Sequence, residues 1–174
     1  WPLTGDYDFT DLVINYRLTQ YARDDGVIRV KIEGQVAAVG GSYHSGFAFR
    51  LPTVLRQEIE ENNIRYHINN QLRSGSPLEE GRDEAILILA DDLWQFVSAG
   101  ENCIYYRTEP GCGSNIQMTF AMTVPISSPI ESEDMPSFPY DPFLFATNGY
   151  DRGYVFGEGP GRPYEIHLAG QAPT

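Results

Sequence analysis

Residues 116–124 read Ile-Gln-Met-Thr-Phe-Ala-Met-Thr-Val, an alternation of large apolar side chains with polar or small ones. Successive side chains of a β-strand point to opposite faces, so this pattern predicts a strand with one face in a core. Residues 85–90, Ala-Ile-Leu-Ile-Leu-Ala, form a continuous apolar run, which is typical of a strand covered on both faces. Together the two segments favour a β-sheet protein.

Four other segments alternate in the same way and predict further strands. Their apolar faces are Leu12, Ile14, Tyr16 and Leu18; Ile28, Val30 and Ile32; Phe47, Phe49 and Leu51; and Tyr164, Ile166 and Leu168, the last opposite Glu165 and His167. The turn sequence Asp24-Asp25-Gly26 separates the first two segments and predicts a hairpin.

Residues 54–62 have a helical pattern, whereas residues 74–77 and the proline-rich stretch 125–142 are typical of loops. The sequence therefore predicts an all-β fold, a β-sandwich of two mostly antiparallel sheets with long loops and one short helix. With 174 residues and no internal repeat, the chain is expected to form a single domain over residues 1–174.

Acidic residues dominate the charge, because 24 Asp and Glu against 12 Lys and Arg give a formal net charge of −12. Phosphate groups would be repelled, which argues against binding to nucleic acid or to an anionic membrane. No apolar run approaches the ~18 residues that a membrane-spanning helix needs, so we expect no membrane insertion. The chain begins at Trp1 without a signal peptide, which we interpret as an excised domain or a mature form.

The two cysteines, Cys103 and Cys112, flank a Pro110-Gly111 turn that can bring the thiols together. Two cysteines without a nearby histidine cannot complete a tetrahedral zinc site. We therefore expect a disulfide and an oxidising compartment, the alternative being two reduced cysteines in a cytosolic loop.

The stretch Gly5-Asp6-Tyr7-Asp8-Phe9-Thr10-Asp11 places three carboxylates directly before the first predicted strand. Carboxylates so close repel one another unless they are solvated, protonated or neutralised by a cation. Ca²⁺ takes about six to eight oxygen ligands, so Asp6, Asp8 and Asp11 are candidate calcium ligands. The alternative is a solvated acidic cap on an edge strand, because the Gly and the distal Glu of a helix-loop-helix calcium loop are missing.

Several motifs carry a resemblance to a known family. They are residues 5–13 followed by Tyr16-Arg17, residues 41–47 (Gly-Ser-Tyr-His-Ser-Gly-Phe), residues 139–143 (Pro-Tyr-Asp-Pro-Phe), and residues 162–168 (Arg-Pro-Tyr-Glu-Ile-His-Leu) with Pro173-Thr174. Over its whole length the chain resembles the LruC domain family. The resemblance implies a bacterial secreted or surface-exposed protein in which this domain is one module of a larger, adhesin-like chain. We expect the module to be monomeric in isolation.

The resemblance also bears on individual residues. The family's aspartate motif falls on Asp6, Asp8 and Asp11 and favours a Ca²⁺ site there. The family commonly has Asn where this sequence has Thr10, which leaves a hydroxyl and a carbonyl oxygen as the available ligands at that position. The other polar motif residues are His44, Arg162, Glu165 and His167. Neither histidine has a second one at metal-binding spacing, so we expect local hydrogen bonds rather than zinc.

Rings and planar polar side chains crowd the C-terminal third of the sequence. The candidate ligand-binding residues are Tyr140, Asp141, Asn148, Tyr150, Asp151 and Arg152. Rings flanked by Asn, Asp and Arg can stack on sugars and bond their hydroxyl groups, and the same composition serves protein recognition. The alternative is that most of these rings lie in the core or cover a sheet edge.

Common catalytic motifs are absent from the sequence, including the Gly-x-Ser-x-Gly elbow and the His-Glu-x-x-His helix. Three hypotheses remain: a calcium-stabilised module that binds a glycan, protein or peptide ligand on another cell or in the matrix; a structural spacer rigidified by calcium; and a carboxylate-dependent glycoside hydrolase. We expect the first, an extracellular adhesion-type module rather than an enzyme.

Overall fold

The computed structural model describes residues 12–41, 44–113, 115–147, 165–172 and 174. The strands in this part of the chain are β1 (Leu12–Arg23), β2 (Gly26–Val39), β3 (Ser45–Leu55), β4 (Arg65–Ile68), β5 (Gln71–Leu72), β6 (Glu84–Ala90), β7 (Met118–Ile130) and β8 (Asp141–Ala146). They form a five-stranded sheet in the order β1-β2-β7-β4-β5 and a three-stranded sheet in the order β6-β3-β8, both antiparallel. The prediction of an all-β sandwich is confirmed.

The two sheets pack face to face over a shared core. Its members on β2 and β7 include Val30, Ile32, Val36, Met118, Phe120, Met122 and Val124, and those on β3 and β6 include Phe47, Phe49, Leu51, Ala85, Leu87 and Leu89. Each fully buried side chain of this kind contributes about 1.5–3 kcal/mol to folding. These are the predicted inward faces, except that Ile116 precedes β7 and is exposed.

The predicted hairpin of β1 and β2 is present, because Arg23 pairs with Gly26 and the two aspartates between them make the turn. One face differs from the expected pattern. The register between β2 and β7 shifts between Val27 and Arg29. As a result of this bulge Val27 is fully buried, whereas the predicted Ile28 is only half-buried.

The outer face of the three-stranded sheet is also covered. Ala48, Ile86, Phe143 and Phe145 form a second buried cluster there, with Ile88 packed against it. This confirms that residues 85–90 are buried on both faces. Gly46 lies directly opposite Phe145 in the register, and a Cβ atom at position 46 would run into the Phe145 ring.

Two segments differ in form from their predictions. The short helix expected for residues 54–62 is present as two 3₁₀ turns, Arg56–Glu58 and Glu61–Asn63, because Ile59 between them forms a β-bridge with Ile126. The loop expected for 125–142 covers only 131–140, since β7 and β8 extend into it. Beyond Thr123 strand β4 no longer pairs with β7, and Glu60 N donates to the Pro125 carbonyl at 3.0 Å, a contact that needs no N–H from the proline.

The last predicted strand has its faces inverted. The Glu165 and His167 side chains are only 5% and 4% exposed, whereas Ile166 and Leu168 are 39% and 40% exposed. The polar side chains face β8 instead, where charged partners offset the cost of burying them. Tyr164, the first residue of that prediction, lies outside the described residues.

The expected disulfide joins Cys103 to Cys112. The loop that it closes anchors Tyr106, which is fully buried, forms a β-bridge with Val39 and accepts a hydrogen bond on its hydroxyl from Gln117 N. A disulfide of this kind indicates an oxidising, non-cytoplasmic compartment. In the described part of the chain, no helix is long and apolar enough to cross a membrane.

Candidate functional site

A cleft of about 490 Å³ opens at one edge of the sandwich, between the β4–β5 hairpin and β6. Its floor is Tyr66 on β4 and Leu89 on β6, and the hydroxyl of Tyr66 donates a hydrogen bond to the Leu89 carbonyl. This bond links β4 of the five-stranded sheet to β6 of the three-stranded sheet, and these two strands do not pair with each other. Burial raises the pKa of Tyr66, so its hydroxyl stays a neutral donor at physiological pH. We call this the edge cleft.

The rim of the edge cleft is rich in planar polar side chains. Residues 73–80, which precede β6, supply Arg73 and Glu80, and the segment after β6 supplies Asp91 and Gln95. All four are exposed. The Arg73 guanidinium lies over the Phe96 ring, 5.6 Å from its centroid, so a ring and a cation stand together at the mouth of the cleft.

Two other carboxylates of the edge cleft are already engaged. Glu61 accepts a hydrogen bond from Arg56 Nη2 at 2.8 Å, and Glu79 pairs with Arg82 at 3.3 Å. A hydrogen bond from Ser76, aided by Arg56, holds the pKa of Glu61 below its ordinary value. A general acid in glycoside hydrolysis needs the opposite shift. Glu61 is thus suited to stay ionised rather than to donate a proton.

A second polar cluster lies on the outer face of the three-stranded sheet, where residues 165–168 run antiparallel beside β8. Ile166 exchanges two backbone hydrogen bonds with Leu144, at 2.8 and 3.1 Å. This bridge sets His167 above β8, with its imidazole stacked on Phe143 at 4.4 Å between ring centroids. The histidine is therefore fixed by the backbone and by a ring contact.

Both ring nitrogens of His167 face carboxylates. Nδ1 lies 2.7 Å from Oδ2 of Asp141, and Nε2 lies 3.0 Å from Oε2 of Glu165. Both contacts are within hydrogen-bond distance, so the histidine side chain bridges the two carboxylates. Arg50 Nη1 stands 3.6 Å from the same Asp141 oxygen, while Oδ1 of Asp141 has no hydrogen-bond partner among the described residues. This network, which we call the histidine network, balances buried carboxylates with cations.

Arg50 extends the histidine network to β6. Its Nε donates to Oε2 of Glu84 at 2.6 Å, and its Nη1 donates to the carbonyl of Ala172 at 3.0 Å. Glu84 also accepts from the backbone N–H of Thr53, which holds a φ of 70° that a β-branched residue rarely adopts. Burial alone raises the pKa of Glu84, but the bonds from Arg50 and Thr53 outweigh burial and lower it.

A family model described as "Domain of unknown function (DUF4842)" matches residues 25–174. The chain belongs to the DUF4842 family. No curated protein and no solved structure matches it. The matched range covers β2 to β8, and it therefore includes the whole edge cleft and the histidine network; β1 and the aspartates before it precede the match.

Other sequence-predicted residues of the DUF4842 domain lie in varied places. Tyr140 is 2% exposed, and its hydroxyl accepts a hydrogen bond from Gln20 Nε2 at 3.0 Å; Asp141 is buried in the histidine network. These two side chains therefore support the fold. The other candidate ligand-binding residues, and Arg162, lie outside the described residues: Asn148, Tyr150, Asp151 and Arg152.

The predicted calcium ligands Asp6, Asp8, Thr10 and Asp11 also lie outside the described residues, so that site stays a prediction. Within the described part of the DUF4842 domain, no three His, Cys, Asp or Glu side chains are grouped to hold a metal ion. His44 makes a local contact, with Nδ1 2.6 Å from Oδ2 of Asp92. Asp92 in turn caps the 3₁₀ turn Leu93–Gln95 by accepting from Trp94 N.

Proposed function

We propose that this DUF4842 domain is a non-catalytic, adhesion-type recognition module of an exported bacterial cell-surface protein, and that it binds a saccharide in the edge cleft. The observation that carries the proposal is the edge cleft itself. Its volume of about 490 Å³ falls in the usual range for small-molecule sites, roughly 300–1,000 Å³. The resemblance to the LruC family and the disulfide support the exported, surface location.

The chemistry of the rim favours a saccharide. Sugar hydroxyl groups both donate and accept hydrogen bonds, and the rim offers acceptors on Asp91 and Glu80, a donor on Arg73 and both on Gln95. Phe96 lines the cleft beside them and offers apolar contact to the C–H groups of a pyranose ring. The paired state of Glu61 and Glu79 favours binding without hydrolysis.

We further propose that Asp6, Asp8 and Asp11, with an oxygen of Thr10, bind Ca²⁺. The motif resembles that of the LruC family, and hard oxygen ligands in a short stretch suit this ion. Asp11 directly precedes β1, so the ion would rigidify the entry to the five-stranded sheet. In this role calcium supports the fold of the module and does not contact the saccharide.

A glycan array tests the proposed function. The wild-type domain is expected to bind a restricted set of glycans, and Arg73→Ala/Gln95→Ala is expected to lose that binding. Arg107→Ala, which changes an exposed arginine outside the cleft, is the matched control and keeps it. Turnover of a bound glycan would favour the hydrolase hypothesis, and failure to bind any glycan would leave the structural spacer.

A further inference from the structure

The outer face of the five-stranded sheet concentrates positive charge on an otherwise acidic protein. Side chains at alternate positions of β1, β2, β7 and β4 point away from the core, and the cations among them include Arg17, Arg29, Lys31 and Arg65. On the described residues of these four strands, Glu33 is the one carboxylate of that face. The whole chain, in contrast, has twice as many acidic as basic residues. We call this surface the cationic face.

Strand register determines how the charges are spaced. Thr19, Lys31, Thr123 and Arg65 lie side by side in one row across four strands, and Arg17 lies in the adjacent row opposite Glu33. Neighbouring strands are about 4.8 Å apart, so Lys31 and Arg65 stand roughly 10 Å apart at their backbones. Short Thr and Ala side chains of β7 occupy the centre of the face, between Lys31 and Arg65.

Within the described part of the chain, three of these four cations form no ion pair. Arg17 and Arg65 are exposed and form no ion pair with any described residue, while the Arg29 guanidinium covers the Tyr21 ring at 4.2 Å from its centroid. Lys31 pairs with Glu33. Like charges gathered on one face repel each other, and an anionic ligand would relieve that repulsion.

We propose that the cationic face binds a linear anionic polysaccharide, whose carboxylate or sulfate groups pair with Arg17, Arg29, Lys31 and Arg65. An extended polymer can lie across the strands, over the short side chains of β7 between the cations. Duplex DNA carries one negative charge per ~1.7 Å of its axis. Most of these phosphates would find no cation to pair with on this acidic protein, which makes duplex DNA a poorer ligand. The Tyr21 ring that could stack on a base is covered by Arg29. This surface is separate from the edge cleft, so the inference goes beyond the proposed function.

Binding to immobilised chondroitin sulfate tests the inference, at low and high salt and in the presence of a chelator. The wild-type domain is expected to bind and to be released by salt, and neutral dextran is expected not to compete. Arg17→Gln/Arg65→Gln should weaken binding about tenfold and reduce the salt dependence by about two charges. Arg82→Gln/Arg107→Gln removes as many cations elsewhere and should leave binding unchanged.

Two further variants test whether binding depends on charge at these positions and whether it is independent of the edge cleft. Arg17→Lys/Arg65→Lys keeps the charge and should bind like wild type, and an unchanged Tm shows that each variant is folded. Arg73→Gln should keep chondroitin sulfate binding even if it loses glycan binding in the edge cleft, which separates the two proposals. The inference is overturned if the wild-type domain does not bind, if the glutamine variant binds equally well, or if polyglutamate or oligodeoxythymidylate binds more tightly.

Discussion

Nδ1 of His167 lies 2.7 Å from Oδ2 of Asp141, and both side chains are almost completely buried. The pair fastens the segment after residue 164 to the outer face of the three-stranded sheet. Burying a carboxylate is costly unless a cation accompanies it, so Asp141 on β8 makes the position of His167 energetically important.

The first prediction concerns this pair. His167→Ala should lower the free energy of unfolding by about 1–3 kcal/mol, because Asp141 and Glu165 each lose a hydrogen-bond contact while they stay buried. Urea denaturation measures the loss. His67→Ala is the control, since His67 is a half-buried residue on the outer face of β4, and it should cost no more than about 0.5 kcal/mol. Equal losses in the two variants would contradict the importance given to the histidine network.

The second prediction concerns the stability of the domain at low pH. The folded pKa of Glu84 is below its ordinary value of 4.5, so the folded state binds a proton there less readily than the unfolded state. The stabilisation from Glu84 is therefore present above pH 4.5 and is lost as the pH falls through the folded pKa. Denaturation at pH values between 3 and 7, in steps of about one unit, gives the free energy of unfolding at each pH. That free energy should fall less towards low pH for Glu84→Gln than for wild type. Glu101→Gln, at an exposed loop position, should retain the wild-type dependence of the free energy of unfolding on pH.

The third prediction concerns the disulfide. Reducing Cys103–Cys112 should lower the free energy of unfolding by about 2–3 kcal/mol, the chain-entropy value for so short a loop. Urea denaturation with and without a reductant measures the difference. The double variant Cys103→Ser/Cys112→Ser should be equally destabilised and insensitive to the reductant. If reduced and oxidised wild type unfold together, the loop around Tyr106 is held by its hydrogen bonds alone.

The fourth prediction concerns calcium. A hundredfold excess of Ca²⁺ over its Kd should stabilise the domain by about 2.7 kcal/mol. For a domain of this size that corresponds to roughly 5–10 °C in Tm. A chelator should remove the increase and Asp8→Ala should abolish it, whereas Asp134→Ala, an acidic residue of an exposed loop, should not. Identical Tm values with calcium and with chelator would leave the aspartates as a solvated cap.

Alternation in the sequence predicts the core strands because each long strand keeps one face in the core. This prediction is wrong where the local geometry changes which face of a strand is buried. The bulge in β2 buries Val27 in place of Ile28, and the alternation of the local sequence gives no sign of it. At the C-terminal end, Glu165 and His167 are buried beside charges that Asp141 on β8 and Arg50 on β3 provide, both far away in the sequence. A periodic pattern contains no information about such partners.

The edge cleft is beyond sequence reasoning for a related reason. Strands β4 and β5 are too short for a periodic signal, at four and two residues. Arg73 and Asp91 lie on separate segments and come together only because β4 and β6 belong to different sheets that meet at this edge. The disulfide could be predicted, in contrast, because its determinants are local: two cysteines around a Pro-Gly turn.

The most direct test of saccharide recognition is isothermal titration calorimetry of the domain with the strongest glycan from the array. We predict one site per chain in wild type. We also predict a loss of at least about tenfold in affinity, or about 1.4 kcal/mol, for Arg73→Ala/Gln95→Ala. Arg107→Ala should bind like wild type. An unchanged affinity in the folded Arg73→Ala/Gln95→Ala variant would contradict the edge cleft as the binding site.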